Sequence, residues 1–295
     1  MSPEQTPLLR IASDFAESRI ALAGLVLLAA IMLIAVLAPF ISPQNPYDLA
    51  QLDVLDSRLP PLAHSQSDDG RIYWLGTDDQ GRDMLSGIFY GLRISVAVGV
   101  ASTLAALAIG ICFGLVAAYF GGWVDTLIMR IVDIQLSFPS ILIALILLAL
   151  LGQGLDKIIV ALVAVQWAYY ARTVRGAALV ERRKEYMEAA AGLALSHARI
   201  VFRHLLPNCL PPLIVVATVQ VAAAIALEAT LSFLGLGLPI TEPSLGLLIS
   251  NGFTYMLSGK YWISFFPGVA LLATIVSINL VADQLRDVLN PRLMK

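Results

Sequence analysis

Charge is scarce in this chain. Of its 295 residues 14% are Asp, Glu, Lys or Arg and 58% are hydrophobic, with a formal net charge of −2. No basic tail or cluster is offered to a nucleic acid. Cysteine and histidine are nearly absent: Cys112, Cys209, His64, His197 and His204 lie far apart without metal-ligand spacing, which argues against a metal centre or a structural disulfide. The GxSxG and HExxH signatures are missing, and no pair of aspartates sits inside an apolar run, so an intramembrane enzyme lacks its working groups. GxxxxGK(S/T) is missing too. Gly259-Lys260 has neither the upstream glycine nor the following Ser or Thr, so this chain cannot cradle ATP phosphates in a P-loop.

What is abundant is uninterrupted apolar sequence. Uncharged stretches run from Ile20 to Tyr47, Ile94 to Val124, Ile134 to Leu155, Leu205 to Leu227 and Tyr261 to Ala282. Each is long enough to cross roughly 30 Å of hydrocarbon at about 1.5 Å per residue. A sixth stretch, Ile158 to Ala171, has 14 residues between Lys157 and Arg172 and spans only if those side chains snorkel. Continuous runs, rather than short alternating segments, indicate helices and not a barrel. The expected fold is all-α, a polytopic bundle of six transmembrane helices. The first run is far longer than a signal-peptide core and no suitable cleavage site follows, so it is read as a retained anchor.

Counting Lys and Arg on alternate sides separates the loops. One side holds Arg10, Arg19, Arg130, Arg172, Arg175, Arg182, Arg183, Lys184, Arg199, Arg203, Arg286, Arg292 and Lys295; the other holds Arg58, Arg71, Arg82, Arg93, Lys157 and Lys260. The positive-inside rule then places both termini in the cytoplasm. The chain divides into a cytoplasmic tail and anchor at 1–41, an external loop at 42–93, a five-helix core at 94–283 with a cytoplasmic loop at 181–208, and a C-terminal tail at 284–295.

In the external loop, Asp78, Asp79 and Asp83 fit turn and helix-cap roles better than cation ligation, because no EF-hand spacing accompanies them. Gly110 and Gly114 form a GxxxG pair suited to close helix packing. Pro139 is expected to kink the third span, while Pro211 and Pro212 suit a first helical turn. Glu228 follows a long apolar run, and counting about seventeen residues from Pro211 places it near the external interface. Two readings stay open: a hydrated or hydrogen-bonded interfacial acid, or part of a path or gate together with Phe233, Gly235 and Gly237.

The segment 181–208 cannot cross a bilayer. It carries Glu181, Arg182, Arg183, Lys184, Glu185, Glu188, Arg199 and Arg203, and these would cost on the order of 20 kcal/mol at the membrane centre. Its periodicity is helical, with Tyr186, Ala190, Leu193 and His197 on one stripe and Met187, Ala191 and Ala194 beside them. A face of such small residues suits docking into a protein groove, with Glu185 and Glu188 free to pair with basic groups. The alternative is a solvated helix that merely bridges two spans.

The stretch "EAAAGLALSHARIVFRHLLPN" resembles the EAA loop of the membrane subunits of bacterial ABC importers. Glu188, Ala189 and Ala190 match its start, and Leu206, Pro207 and Asn208 its end. The family's turn glycine is Ala194 here, with Gly192 two residues earlier, so the bend falls at one or the other. "LGTDDQGRD", "YFGGWVDTLIMRIVDI", "FPS", "LSFLGLG", "FPG" and "LRDVLNPRL" extend the resemblance over nearly the whole chain, to the C-type permease of dipeptide and oligopeptide importers. That resemblance implies a type I (MetI-like) permease core with an extra N-terminal helix, in a bacterial inner membrane. It also implies a heterodimer with a homologous B-type permease, two ABC ATPase subunits that bind ATP and Mg, and an extracytoplasmic peptide-binding protein. No cofactor, metal or catalytic residue is expected in this chain. The residues implied to dock on the ATPase are Glu185, Tyr186, Met187, Glu188, Ala189, Ala190, Gly192, Leu193, Ala194, His197, Arg203 and Pro207. Relatives with similar permeases carry peptides, nickel chelates, opines or glutathione. A passive channel or secondary transporter is the rival class, and inverted repeats, frequent in secondary transporters, are not detected.

Overall fold

A helix that is apolar on every side needs only a start signal and a stop, and both are present at the first span. Ser18 caps helix α2 (Arg19–Ile41), its hydroxyl accepting from the Ala21 amide at 3.2 Å, and the helix ends at Ser42-Pro43. A short helix α1 (Pro7–Ala16) precedes it. The computed structural model describes residues 7–48, 52–66, 70–239, 242 and 244–289. Residues 1–6 and 290–295, with Arg292 and Lys295, lie outside the described residues.

The segment after α2 is largely irregular, with a two-residue hairpin of β1 (Ala63–His64) and β2 (Ile72–Tyr73). Asp56 organises it, accepting from Ser65 Oγ at 2.6 Å, the Gln66 amide at 2.7 Å and the Tyr73 hydroxyl at 2.8 Å. Helix α3 then runs from Met84 to Phe120, so helix begins well before the expected loop boundary at residue 93. Asp83 explains the early start: its carboxylate caps the Ser86 amide at 2.8 Å and accepts from Ser86 Oγ at 2.6 Å. The Gln44 side chain accepts from the Asp83 amide at 2.7 Å and ties the end of α2 to this cap. Asp78 closes a turn by accepting from the Gln80 and Arg82 amides and pairs with the Arg82 guanidinium at 2.9 Å. Turn and cap roles are therefore what Asp78 and Asp83 perform.

Pro139 does more than kink the third span. Helices α4 (Gly122–Ser137) and α5 (Ser140–Leu151) meet at 91° across Phe138-Pro139. Proline starts the break by withdrawing a donor and excluding helical geometry from the residue before it. Beyond the break, α4 is fastened to helix α6 (Leu155–Glu181) by Arg175 on Asp125, bidentate at 2.5 Å, and by Arg172 on Asp133.

The expected sixth span falls in the middle of α6, which is not among the helices long and apolar enough to cross a membrane. At 27 residues the helix reaches about 40 Å, and Ile158, Ala161, Leu162, Val165, Ala168 and Ala171 are all buried. A helix surrounded by protein needs less apolar surface than one facing lipid, which accounts for its short hydrophobic run. Along it lies a close seam, with Gly110 of α3 against Trp167, Tyr170 and Ala171 and Gly114 against Ala171 and Val174.

Helix α7 (Glu185–Gly192), the single turn α8 (His197–Arg199), a π-helical stretch Ile200–Leu205 and helix α9 (Leu206–Phe233) follow. Because His197–Phe233 forms one continuous helical run, Pro211 and Pro212 lie in its interior and not in a first turn. Helix α10 (Leu245–Phe253), capped by Ser244, and helix α11 (Trp262–Leu289) complete the bundle. Among the described residues, α2, α3, the run from His197 and α11 are each long and apolar enough to cross a membrane, and α4 with α5, bent by 91°, makes either a fifth, broken span or a re-entrant loop. Exposed Val26, Leu33 and Val36 on α2, and Leu142, Ile146 and Leu150 on α5, leave an apolar outer surface suited to lipid or a partner helix.

Candidate functional site

The charged segment between α6 and α9 projects from one end of the bundle, here termed the Arg-rich end. Two side chains of α7 hold it there. Met187 and Ala190 are buried with Leu115 and Ala118 of α3, Val174 and Ala178 of α6, and Ile200, Leu205, Cys209 and Leu213. The expectation that Met187 and Ala190 face a partner is corrected: they are the inward anchors of the helix. Methionine fills the irregular gap where three helices converge, and alanine allows close backbone approach.

The opposite face is free. Glu185, Tyr186, Glu188, Ala189, Gly192, Ala194, Arg203 and Pro207 are exposed, and Leu193 is 74% exposed. The chain turns at Ala194, whose φ is +52°, while Gly192 remains outside the left-handed region. The bend therefore sits where the family has its glycine, and alanine holds it at a cost of about 1–2 kcal/mol. Tyr186 donates to Glu181 at 2.7 Å. Burial first, and then that carboxylate, push its phenol up to about 12.

His197 is exposed as well, and it is tied to the end of α3. Its Nδ1 is hydrogen-bonded to the Tyr119 hydroxyl, and the two rings meet edge to face with centroids 5.5 Å apart. Arg182 lies over the other side of this junction, 5.7 Å from the Tyr119 ring centroid, and donates to the Ala118 carbonyl in the last turn of α3. Neither Tyr119 nor Arg182 was legible as a site residue, since nothing local in the sequence links positions 119, 182 and 197.

At the far end of α9 the structure gathers the second group of candidates. Glu228 is fully buried, and it accepts from Ser95 of α3 at 2.9 Å and from Ser232 at 2.8 Å. Glu228 is therefore a buried, hydrogen-bonded acid, a setting that suits either of its two readings. The pairing with Ser232, one helical turn away, was available from sequence; the contact with Ser95 was not. Gly235 turns the chain at φ +78° in open space, whereas a Cβ on Gly237 would lie 2.2 Å from Ser232 Oγ, so Gly237 serves close approach and not flexibility. Phe233 packs edge to face on Phe253 of α10. Gly246 lets the start of α10 close on Ala229, where a Cβ would meet backbone at 2.2 Å. Glu228 thus sits at a junction of α3, α9 and α10.

Comparison with known proteins follows the same division. Residues 110–295 match the family described as the binding-protein-dependent transport system inner membrane component, and residues 6–61 match the N-terminal TM domain of oligopeptide transport permease C. Among curated proteins, the chain is 37% identical to the dipeptide transport system permease protein of Bacillus subtilis, over 95% of this chain and 84% of that protein. It is also 37% identical to the corresponding dipeptide permease of Haemophilus influenzae, over 98% and 96%, and 36% identical to the oligopeptide transport system permease of B. subtilis, over 95% and 88%. Among solved structures, an inward-facing conformation of the MetNI methionine ABC transporter shares the fold, with a TM-score of 0.56 at 22% identity over 70% of this chain and 98% of that one. The chain belongs to the binding-protein-dependent transport system inner membrane component family, and it is a multi-pass permease subunit of a transport system and not an enzyme.

Proposed function

We propose that this permease forms half of the translocation path of an importer for dipeptides or short oligopeptides, and that its segment 185–194 docks on an ATP-hydrolysing subunit. The observation that carries the docking surface is the two-sidedness of α7: Met187 and Ala190 are locked into the bundle while Glu185, Glu188 and Leu193 face outward. A helix anchored this way passes force to the spans instead of swinging freely. The peptide class is supported by relatives named as dipeptide and oligopeptide permeases that match nearly the whole chain.

The remaining assembly follows from that role. A homologous B-type permease completes the path, two ATPase subunits bind ATP and Mg at the Arg-rich end, and an extracytoplasmic binding protein delivers solute at the opposite end. Both termini and the Arg-rich end face the cytoplasm of a bacterial inner membrane, in line with the distribution of Lys and Arg. Closure of the ATPase pair displaces α7, and the helices switch the path between inward- and outward-facing states. Glu188→Lys tests this. The variant should insert and assemble with its partner permease, yet lose ATP-driven uptake of labelled dialanine, because a reversed charge meets the groove that the acid complements. Unchanged uptake would remove Glu188 from the contact.

A further inference from the structure

We infer that Tyr119, His197 and Arg182 are positioning residues that grip the end of α3, making that helix the strut through which movement of the docked segment reaches the far end of the bundle. The inference rests on the docking role proposed above.

Chain connectivity already joins α7 to α6 through residues 182–184 and to α9 through residues 193–205. It does not join α7 to α3, whose last residue, Phe120, lies far away in sequence. Movement of the segment can reach α3 only through noncovalent contacts. Leu115 and Ala118 supply apolar ones, which resist separation but permit sliding and rotation. Among the described residues, the directional contacts are at one place. The Arg182 guanidinium donates to the carbonyl of Ala118, occupying one of the acceptors that a helix end leaves open. The same guanidinium covers the Tyr119 ring. On the other side of the segment, the Tyr119 hydroxyl bonds His197 Nδ1 at the first residue of α8. Both exits of the coupling segment are therefore pinned to one turn of α3.

The rest of α3 suits the task. Its 37 residues span about 55 Å without proline. Its start is locked by Asp83, Ser86 and Gln44, which fix the segment after α2. Between these ends Ser95 donates to buried Glu228, so α9 and the start of α10 are coupled to the same rod. A displacement at Tyr119 is thus delivered both to the 42–83 segment and to the α9–α10 junction.

Tyr119→Phe separates this role from docking, since it keeps the ring, the Arg182 contact and the exposed face of α7 while removing one hydrogen bond. In the complete importer reconstituted in vesicles, the ATPase subunits should co-purify as with wild type, and dialanine taken up per ATP hydrolysed should fall about fivefold, the worth of one net hydrogen bond. His197→Phe should lose a similar amount, and the double variant no more than either alone, because both remove the same contact. A fluorophore on Val54→Cys gives a readout independent of solute: its response to a non-hydrolysable ATP analogue should be present in the wild-type background and reduced in Tyr119→Phe. An unchanged ratio of uptake to ATP, an unchanged fluorophore response, or additive losses would overturn the inference. Loss of co-purifying ATPase in Tyr119→Phe would also overturn it, by showing that the contact merely shapes the docking face. Failure of Glu188→Lys to affect uptake would instead refute docking itself.

Discussion

Gly110→Ala adds one methyl group at the tightest point between α3 and α6. A Cβ there would lie 2.4 Å from Tyr170 Cβ, 2.8 Å from the Trp167 carbonyl oxygen and 2.9 Å from the Ala171 amide nitrogen. Ordinary contact begins near 3.4 Å, so the helices must part by about 1 Å, and backbone atoms leave no rotamer change that avoids it. A gap of that size forfeits roughly a quarter to a half of the dispersion attraction at each adjoining contact. Alanine returns about 1 kcal/mol of helix propensity over glycine. The expected balance is a loss of about 1–3 kcal/mol. Gly176, on the partner helix α6, is the control: a Cβ there meets nothing within 4 Å, so Gly176→Ala should be neutral or stabilising by up to about 1 kcal/mol. Thermal unfolding in detergent should place Gly110→Ala several degrees below Gly176→Ala, at about 2–4 °C per kcal/mol. Equal midpoints, or a higher one for Gly110→Ala, would refute the claim that the seam depends on glycine.

Two further outcomes are expected. Burial alone would raise the Asp56 carboxyl, but hydrogen bonds from Ser65, Gln66 and Tyr73 outweigh it and hold the group below its ordinary 3.8. That stability is complete above the unfolded value and drains as pH falls through the lower folded one. Burial and then Asp56 raise the Tyr73 phenol above its ordinary 10.0, so its contribution is complete below that value and fades as pH rises through the folded one. The Tm of the protein plotted against pH should therefore lose these contributions below about pH 4 and above about pH 10. Asp56→Ala should lower the plateau and flatten both limbs, and unchanged limbs would exclude this network as their source. Ala194→Gly should leave uptake intact and slow amide exchange across 190–197, because glycine accepts φ +52° without the steric penalty; Ala194→Val should speed it. Identical exchange in the two variants would place the turn elsewhere.

The long helices were legible because a bilayer imposes a length and an apolar composition that the chain displays openly. α6 was harder, since a helix surrounded by other helices need not be apolar for its whole length. The glycines at 110 and 114 announced a close contact, but α6 as their partner comes from tertiary packing. Pro139 announced a break; its 91° angle, and the pairing of α4 with Arg172 and Arg175 far away in sequence, are tertiary features that no local pattern displays. At the coupling segment, periodicity revealed a helix yet could not tell which face turns inward. Met187 and Ala190 share a stripe with residues that stay exposed, and only the gap between α3, α6 and α9 decides the orientation. Glu228 looked interfacial by counting residues along one helix, whereas its environment is built by Ser95 and by α10 folding back.

Photo-crosslinking from position 187 within α7 and from position 193 just past its end tests coupling through this helix most directly. With a photoreactive residue at position 193, where Leu193 is 74% exposed, the assembled importer should yield a covalent adduct with an ATP-hydrolysing subunit. With the same residue at position 187, where Met187 is 6% exposed, crosslinks should stay within this chain. Capture of the ATPase from position 187 and not from position 193, or from neither, would contradict the assignment of this surface.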